Sequence, residues 1–448
     1  MEYVPAMGGV MLFGGYHNFQ SYSDTWVYQC LGVGPAALPA GRVGLAYAAS
    51  LTATGGSAPC SFTLTVGSLP PGLTLAADGT ISGTPASAGS FAFRVLAADA
   101  TGCLGSVIAT IAIDEAIESF VAAEGAGPAN ANRIRAYDAA GRPTPVDFFA
   151  YAAGTYGVRV ATGHVVAAGT EEILTGPGPG PVHGPHVRAF GDDGSPIARV
   201  SFFAFGTLRY GVGVASCALD ATAQMEMLAG AGPGAVFGPH VRAFTFDGSV
   251  VAPLPGASFY AYGTLRFGAN VGAGDVDGAP PAEILTGPGP GPTFGAHVRA
   301  FAYAGSITPL SRIDFFAIPG SGHGCGVAGG DVDADGFDEL CASAGPGAPV
   351  AARTVGFEDD GSGVRALPGF DATPFPSAYG ARSSLGDVSV VIDDGRSDLV
   401  CGAGPDPAAS SLVLVFRYDG AALVAVPGSF APFPDPYGVD ATSGALGL

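Results

Sequence analysis

A short strand-like sequence that recurs six times constrains this chain more than any other feature. GVRVATG begins at residue 157, GVGVASC at 211, GANVGAG at 268, GCGVAGG at 324, GARSSLG at 380 and GVDATSG at 438. The successive spacings are 54, 57, 56, 56 and 58 residues. Self-similarity at a nearly fixed period is typical of architectures that repeat one supersecondary unit.

Each repeat contains four predicted strands. The first is followed by a second such as EEILTG, a Gly/Pro loop, a third such as HVRAF and an aromatic fourth such as SFFAF. Four short strands in a unit of this length are typical of a propeller blade. The region opens near residue 119 with a second-type strand and ends at 438–448 with a first-type strand. The sequence therefore predicts an all-β chain with a six-bladed β-propeller at residues 115–448, closed by its C-terminal strand.

The repeats also resemble bacterial FG-GAP or VCBS-type repeats. The matching sequences are DVDADGFDEL, the SFFAF-like strands and the loops GPGPGPVHGPHVRAF, GAGPGAVFGPHVRAF and GPGPGPTFGAHVRAF. This resemblance implies a β-propeller fold. Propellers of this type serve in adhesins, lectins, lyase scaffolds and coat proteins, so the fold alone does not assign a function.

Two smaller segments precede the repeats. Residues 31–114 contain alternating runs such as SFTLTV and SVIATIAI between PPG, ADG and GT turns, which predicts a β-sandwich. The piece LPPGLTLAADGTISGTPASAGSFAFRVLAADATG closely resembles the Ig-like modules of bacterial surface proteins, which implies a spacer or adhesive unit. Residues 1–30 resemble one kelch repeat through Gly14, Gly15 and Trp26, and a single kelch repeat cannot close a propeller.

Charge and composition narrow the function classes. The formal net charge is −20 and all 18 basic residues are arginine, so the basic surface that nucleic acid requires is missing. An acidic surface instead suits cation binding or solubility outside the cell. No run of about 18 apolar residues occurs, so we expect no membrane insertion. The start MEYVPAMGGVMLFGG lacks the basic region of a signal peptide, and the chain is interpreted as a mature or internal piece of a longer precursor.

The stretch GGDVDADGFDEL, residues 329–340, predicts a metal site. Carboxylates at loop positions 1, 3, 5 and 9 and a carbonyl at position 7 can surround one hard cation, and a glycine permits the tight turn. Oxygen ligands of high negative charge favour Ca²⁺ over transition metals. The predicted ligands are Asp331, Asp333, Asp335, Glu339 and the carbonyl oxygen of Phe337.

Two related loops carry part of this pattern. DVDGAPPAE has Ala279 in place of the third aspartate and keeps Asp275, Asp277 and Glu283. GDVSVVIDDGRSDL is longer and offers, in a displaced register, Asp393, Asp394 and Asp398. The loops HVVAAGTEE and ALDATAQME lack the early carboxylates. We therefore expect one to three calcium ions rather than six.

A histidine and an arginine recur together in three repeats. The pairs are His186 with Arg188, His240 with Arg242 and His297 with Arg299. Residues i and i+2 of a strand share one side, so each pair projects together. A ring of metal or sugar sites is one interpretation, but recurrence with the fold favours a structural role in hydrogen-bonding the Gly/Pro loop or the next blade.

Cysteines indicate at most one disulfide in the N-terminal part. The chain has seven cysteines and no C-x-x-C pair, which disfavours zinc ribbons and thioredoxin-like motifs. A bridge from Cys103 to either Cys30 or Cys60 fits an exported protein, and the odd count leaves at least one thiol unpaired.

These features predict a secreted or cell-surface structural or adhesive protein, with a calcium-stabilised propeller as the scaffold for interactions. The expected partners are other copies of the chain, surface proteins or glycans. One alternative is a subunit of an extracellular fibre assembled head to tail through the N-terminal strands. Another is a glycan-binding lectin or a polysaccharide-degrading enzyme. No G-x-S-x-G or H-E-x-x-H motif is present, and no residue is nominated as a nucleophile or base, so we expect no catalysis.

Overall fold

In a computed structural model the chain divides into two compact units, Met1–Ala116 and Ile117–Leu448. The structure describes all residues except 1, 5–8, 18–19, 29–30, 43–46, 86, 115–118, 153, 167–170, 182, 207–208, 221, 223, 265, 348–350, 387, 389–395, 427–428, 445 and 447–448, and it describes the backbone alone over 2–28 and at 114. The described residues form strands, turns and loops without any helix, which confirms the all-β prediction. None of them forms a helix of the length and apolarity that membrane crossing needs.

The first unit begins with a small antiparallel sheet. Its strands, in the order β1-β2-β3, are β1 (Glu2–Val4), β2 (Gly9–His17) and β3 (Gln20–Tyr28). The residues predicted as a kelch-like strand pair lie on β2 and β3, where the backbone of Leu12 pairs with that of Trp26.

The rest of the first unit consists of short strands around one apolar core. They are β4 (Gly32–Gly34), β5 (Gly41–Arg42), β6 (Tyr47–Ser50), β7 (Thr52–Thr54), β8 (Ser61–Val66), β9 (Leu73–Leu75), β10 (Thr80–Gly83), β11 (Gly89–Ala98) and β12 (Leu104–Asp114). The sheets have the orders β5-β12-β11-β8, β6-β10-β9 and β4-β7. Phe93, Val95 and Ala97 alternate along β11 and are buried, as the period of a half-buried strand requires. They pack with Ile81 of β10 and Ile111 of β12.

The described residues of the second unit form six sheets, which we call repeat sheets one to six. Repeat sheet one has β13 (Ser119–Glu124), β14 (Arg133–Tyr137) and β15 (Pro143–Phe149); two has β16 (Val158–Gly163), β17 (Glu172–Pro177), β18 (His186–Phe190) and β19 (Pro196–Phe203); three has β20 (Val212–Cys217), β21 (Glu226–Ala231), β22 (His240–Phe246) and β23 (Val251–Tyr260). Four has β24 (Ala269–Gly274), β25 (Glu283–Pro288), β26 (Ala296–Tyr303) and β27 (Ile307–Ile318); five has β28 (Cys325–Gly330), β29 (Glu339–Ala344), β30 (Ala352–Asp359) and β31 (Val364–Phe375). Six has β32 (Ala381–Gly386), β33 (Asp398–Ala403), β34 (Ser410–Tyr418), β35 (Leu423–Ala425) and β36 (Phe430–Pro436).

The last strand, β37 (Val439–Gly444), belongs to repeat sheet one. It pairs antiparallel with β13 from Ser119 opposite Gly444 to Glu124 opposite Val439. The first strands β16, β20, β24, β28 and β32 each pack on the next, and β37 packs on both β32 and β16. Each second strand, such as Glu283–Pro288, is buried along its whole length because it lies between two hydrogen-bonded neighbours and between adjacent sheets.

Aromatic residues of the fourth strands join neighbouring sheets. Phe202 of β19 lies 4.6 Å, between ring centroids, from Phe244 of the next sheet, and Phe259 of β23 lies 4.6 Å from Phe301. The SFFAF-like sequences therefore recur because one aromatic ring of each fills the space between two sheets. The following aromatic position faces solvent, and Phe316 of β27 has 63% of its surface exposed.

An aromatic-glycine pair precedes most first strands and explains why the repeated sequence begins with glycine. Tyr210 and Gly211 both have positive φ, 67° and 70°. A Cβ atom on Gly211 would lie 2.0 Å from the carbonyl oxygen of Pro177, so no other residue fits there. The same backbone conformation recurs at 156–157, 267–268, 323–324 and 437–438.

Candidate metal centre

The candidate metal centre lies in the loops that join the first and second strands of repeat sheets four and five. In the loop after β28, the Asp331 carboxylate accepts the backbone N–H of Ala334 at 2.7 Å and of Gly336 at 2.9 Å. Asp335 accepts the N–H of Phe337 at 2.9 Å. Gly336 has a φ of 92°, the left-handed conformation predicted for the tight turn. Short polar side chains thus fold this loop back on itself.

Three carboxylates of this loop converge. One oxygen atom from each of Asp331, Asp333 and Asp335 lies within 4.8 Å of the other two. Asp333 Oδ1 is buried and has no hydrogen-bond partner among the described residues. Burial, followed by the charges of Asp335 and Asp331, raises the pKa of Asp333. A bound cation would remove this repulsion and supply the missing partner.

Glu339, predicted as a fourth ligand, has a second role. It is buried at the start of β29, and its Oε2 accepts the N–H of Val332 at 2.7 Å. Glu172, Glu226 and Glu283 accept the N–H of Val165, Leu219 and Val276 in the same way. A glutamate at this position therefore closes the loop in four sheets, including repeat sheet two, whose loop has no aspartate, and repeat sheet three, whose loop keeps only Asp220. Burial raises the pKa of Glu339 to about 8, and its Oε1 has no partner among the described residues.

The loop after β24 forms a second cluster. Oxygen atoms of Asp275, Asp277 and Glu283 lie within 4.8 Å of one another. Asp275 Oδ1 is also buried without a partner in the described part of the chain. Burial, then the charges of Asp277 and Asp275, raises the pKa of Glu283 to about 8. Ala279, which stands where the other loop has Asp335, gives only its N–H, to Asp277 at 3.0 Å.

Asp338, which the sequence did not single out, joins the two clusters. It exchanges hydrogen bonds with Asp275 of the preceding sheet. The ring of Phe337 lies against Gly278, where an added Cβ would be 2.3 Å from the ring. Phe337 is exposed and belongs to the 331–338 loop, and its predicted role as a carbonyl ligand stays a prediction.

Both clusters fit a hard cation by the chemistry of their donors. Each presents carboxylate oxygens and no sulfur or imidazole, which favours Ca²⁺ or Mg²⁺ over zinc or copper. The unpartnered oxygens of Asp275, Asp333 and Glu339 carry acceptor capacity that nothing else in the described residues uses. Three aspartates converge in the 331 loop and two in the 275 loop, so the first cluster offers more charge.

The third predicted loop differs. Asp393 and Asp394 lie outside the described residues. Asp398 is fully buried at the first position of β33, which is the position of Glu339 in its own sheet rather than a displaced one. Its two carboxylate oxygens accept hydrogen bonds from Arg417 Nε at 3.1 Å and Nη2 at 3.3 Å. Since an arginine already neutralises it, Asp398 is corrected here from a candidate ligand to an ion-pair residue.

The recurrent arginines have the structural role predicted for them. Arg188, Arg242 and Arg299 donate Nη1–H to the carbonyl oxygens of Ala150, Ala204 and Ala261, each directly after the outermost strand of the preceding sheet. The histidines stack on exposed rings: His186 lies 4.7 Å from the Phe203 centroid and His297 lies 4.6 Å from that of Phe316. The arginines therefore join neighbouring sheets, and the three histidines belong to no metal-binding group among the described residues.

Cys103 is disulfide-bonded, whereas Cys60 carries a free thiol. Cys30 lies outside the described residues. Ala98 of β11 pairs with Ser61 on one side and with Leu104 on the other, so Cys60 and Cys103 lie on opposite flanks of β11. Two strand spacings, about 9.5 Å, exceed the Cα separation that a disulfide can span, so the Cys60–Cys103 alternative is not formed.

Together, the two units define an all-β protein of many small sheets. A family model described as "Putative Ig domain" matches residues 30–114, so the Ig-like prediction for the first unit is confirmed. No curated protein matches the chain. A crystal structure of a DUF4784 family protein from Bacteroides caccae is similar at 9% sequence identity, over 92% of this chain and 98% of that chain, with a TM-score of 0.34. A similarity of this size supports no argument about fold or function.

Proposed function

We propose that residues 117–448 form a six-bladed, FG-GAP/VCBS-type β-propeller, the calcium-stabilised scaffold of a secreted or cell-surface structural or adhesive protein. The observation that carries the proposal is the cyclic order of first-strand contacts, which β37 completes by packing on both β32 and β16 while pairing with β13. When the C-terminal strand closes the ring, it pairs with the edge of repeat sheet one that would otherwise be free, and the closed ring is a rigid platform. A rigid platform of this kind suits a protein that presents binding surfaces to partners rather than one that works by conformational change.

The two carboxylate clusters support calcium as the stabilising ion. Each cluster lies in a loop between the two innermost strands of its sheet, where a cation would fix the hairpin and reduce repulsion among acidic groups. Because the ion would bind the folded chain alone, it would add to the free energy of unfolding by linkage. No residue of the clusters is placed as a nucleophile or base in this proposal.

An extracellular location is supported by three independent features. Cys103 is disulfide-bonded, which fits an oxidising compartment. The net charge of −20 suits solubility outside the cell, and residues 30–114 match an Ig-like family model. The Ig-like unit would serve as a spacer or adhesive module.

Thermal unfolding with and without calcium tests the proposal. We expect a chelator to lower the unfolding midpoint of the whole chain, and calcium to restore it in a saturable manner. In the double variant Asp331→Asn with Asp333→Asn, the midpoint should depend far less on calcium. Asp220→Asn is the matched control, because Asp220 accepts the N–H of Thr222 in a loop whose described residues form no converging cluster. An unchanged midpoint of the wild-type chain after chelation would refute the calcium scaffold.

A second candidate function, glycan binding, is favoured by one pocket. It lies between repeat sheets three and four, has a volume of about 510 Å³ and is lined by Phe294, His297, Asp314 and Phe316, among others. Phe316 offers an exposed ring face of the kind that packs on the C–H face of a sugar, and Asp314 offers carboxylate oxygens. His297 Nε2 lies 2.5 Å from Asp314 Oδ1 and holds that carboxylate in place.

A glycan array tests this second function. Binding by the wild-type chain that is lost in Phe316→Ala supports it. Phe203→Ala is the matched control, since Phe203 is 59% exposed on the equivalent strand of repeat sheet two and stacks on His186 in the same way. Equal loss in both variants, or no binding by the wild-type chain, would exclude a site at this pocket.

A further inference from the structure

The second residue of each first strand marks a common level around the second unit. At this level β16, β20, β24, β28, β32 and β37 carry Arg159, Gly213, Asn270, Gly326, Arg382 and Asp440. Two positions lack a side chain and two carry guanidinium groups. Since consecutive first strands pack on one another, residues at this level surround a common space.

A cavity of about 360 Å³ opens beside this level toward the proline-containing loops. Pro179, Pro233, Pro290, Pro346 and Pro405 line it, together with Asn270. Among the described residues that line this cavity, Arg159 and Arg382 are the charged ones. The carboxylates of Asp440, Glu171 and Asp338 instead line a neighbouring cavity of about 380 Å³, which the two arginines also border. The proline-lined cavity of about 360 Å³ is therefore bordered by two guanidinium groups and by no carboxylate of the described residues.

The charges at this level do not balance within the described residues. Arg159 Nη1 lies 3.4 Å from Asp440 Oδ2 and forms an ion pair with it. The side chain of Arg382 forms neither a hydrogen bond nor an ion pair with another side chain or with a backbone group in the described part of the chain. Burial, and then the nearby charge of Arg159, lowers the pKa of Arg382 to about 9, partly opposed by Asp440. Arg382 is therefore still cationic at neutral pH, and its donors have no acceptor.

We infer that this cavity binds a small oxyanion, held between the guanidinium groups of Arg382 and Arg159. Guanidinium presents paired N–H donors in a planar fork, which matches the oxygens of sulfate, phosphate or a carboxylate. Arg382 is partly buried, and a charge removed from much of its water without a partner is costly, so an anion would supply that partner. Asn270 Nδ2 already donates to the carbonyl oxygens of Pro288 and Cys325, so the two arginines supply the donors. Gly213, which has no side chain, leaves room for the ligand.

Sulfate binding to the purified full chain tests the inference. The thermal midpoint is measured against sodium sulfate at constant ionic strength adjusted with sodium chloride, and affinity is measured by calorimetry. We expect saturable stabilisation in the wild-type chain and a loss of affinity of about tenfold or more in Arg382→Gln. Phosphate, in calcium-free buffer, and acetate are the comparison arms: preference for phosphate identifies a tetrahedral oxyanion, and preference for acetate identifies a carboxylate.

Two further variants keep the test valid if Arg382→Gln fails to fold. Asp440→Asn removes the carboxylate that competes for the arginines and should tighten sulfate binding several-fold. Gly213→Leu should block the cavity, and an added Cβ there meets no atom closer than 3.7 Å, so the backbone accommodates it. Arg365→Gln is the matched surface control and should leave affinity unchanged, because Arg365 is exposed and paired with Glu358. The inference is wrong if wild-type stabilisation is absent or non-saturable, or if Asp440→Asn does not tighten binding.

Discussion

Asp338 and Asp275, in the loops of adjacent sheets, hold each other through two hydrogen bonds. The N–H of Asp338 donates to the carbonyl oxygen of Asp275 at 3.1 Å, and Asp338 Oδ2 accepts the N–H of Asp275 at 2.8 Å. The main-chain bond recurs between other sheets, from Met225 to His164, Ala282 to Ala218 and Ser397 to Asp331. The side chain of Asp338 thus reinforces a junction that the fold repeats, and it does so between the two acidic clusters.

Replacing Asp338 separates its hydrogen bond from its charge. Asp338→Ala leaves the N–H of Asp275 without its acceptor and should lower the free energy of unfolding by about 1–3 kcal/mol. Asp338→Asn keeps a carbonyl acceptor and removes a carboxyl whose pKa burial raises, so its stability should stay within about 1 kcal/mol of the wild type. Urea unfolding in the presence of a chelator measures both. Equal losses in the two variants would show that the hydrogen bond is not what stabilises this junction.

Ala279→Asp should complete the weaker cluster. It gives the Asp275 loop the third aspartate that the Asp331 loop has in Asp335. Without calcium the added charge should destabilise the chain slightly, by about 1 kcal/mol or less, through repulsion from Asp277. With calcium it should stabilise, because the ion gains an oxygen ligand.

Thermal unfolding midpoints of Ala279→Asp and the wild type, measured in chelator and in calcium, show whether the effect of the substitution on stability changes sign. Thr222→Asp is the control, because it adds a carboxylate at the equivalent position of a loop without a cluster and should give no calcium-dependent gain. A destabilisation by Ala279→Asp that calcium leaves unchanged would argue against an ion in the Asp275 loop.

The sequence predicted the repeat sheets and the acidic loops because both depend on local pattern. Alternation, glycine-rich turns and a fixed spacing specify strand positions along the chain. Asp331, Asp333 and Asp335 fall at loop positions whose geometry follows from the chain itself. Strand positions and loop clusters could therefore be read without knowledge of neighbouring sheets.

Contacts between sheets could not be read from the sequence. The positions equivalent to Asp338 in other repeats carry Ala282 and Met225, so no recurring aspartate indicated that Asp338 makes a contact between sheets. Arg188 donates to a main-chain carbonyl, which any residue at position 150 would supply. The sequence predicted Glu339 as a metal ligand but did not predict that it closes its loop by accepting the N–H of Val332. Nearly every residue has a backbone N–H, so the sequence does not indicate which one a side chain will bind. The pairing of Asp398 with Arg417 was missed for the same reason: the partner lies on another strand.

Replacing Arg242 with lysine should destabilise the second unit. Its guanidinium donates to the carbonyl of Ala204 and lies 4.9 Å from the ring centroid of Phe244. Lysine keeps the charge but loses the planar fork and its stacking, so Arg242→Lys should lower the free energy of unfolding by about 1.5–3 kcal/mol. Chemical denaturation measures the loss, with Arg365→Lys on the surface as the control. A neutral result for Arg242→Lys would show that charge alone suffices at the junction.

Asp99 should make the first unit sensitive to strong acid. Its carboxylate accepts backbone N–H groups of Ser57, Thr101 and Cys103 and the hydroxyl of Thr101. The hydrogen bond from Ser57, with those from Thr101 and Cys103, lowers the pKa of Asp99 to about 2. Its stabilising contribution is therefore full above the unfolded value of 3.8 and is lost as the pH falls through about 2. Asp99→Asn should be less stable at neutral pH and should lose this part of the acid dependence, as followed by circular dichroism.

His186 should make stability fall on mild acidification. Burial, and then the charge of Arg188, lowers its pKa below the ordinary 6.5, so the unfolded chain takes up protons more readily than the folded one. The contribution of His186 is then full above pH 6.5 and declines as the pH falls toward its folded pKa. His240, with Arg242 beside it, has a pKa lowered by the same two causes and should add to the effect. Urea unfolding at about pH 7.5 and about pH 5.5 measures the decline.

Ser201→Asp should weaken or reverse this decline. His186 Nε2 lies 2.9 Å from Ser201 Oγ, whereas His297 has the carboxylate of Asp314 at the equivalent place. A carboxylate at 201 would stabilise the protonated imidazole and raise the pKa of His186, so less stability is lost in acid. Ser201→Asn has nearly the same shape without the charge and should keep the wild-type decline. If the Asp and Asn variants respond identically to pH, protonation of His186 is not the cause.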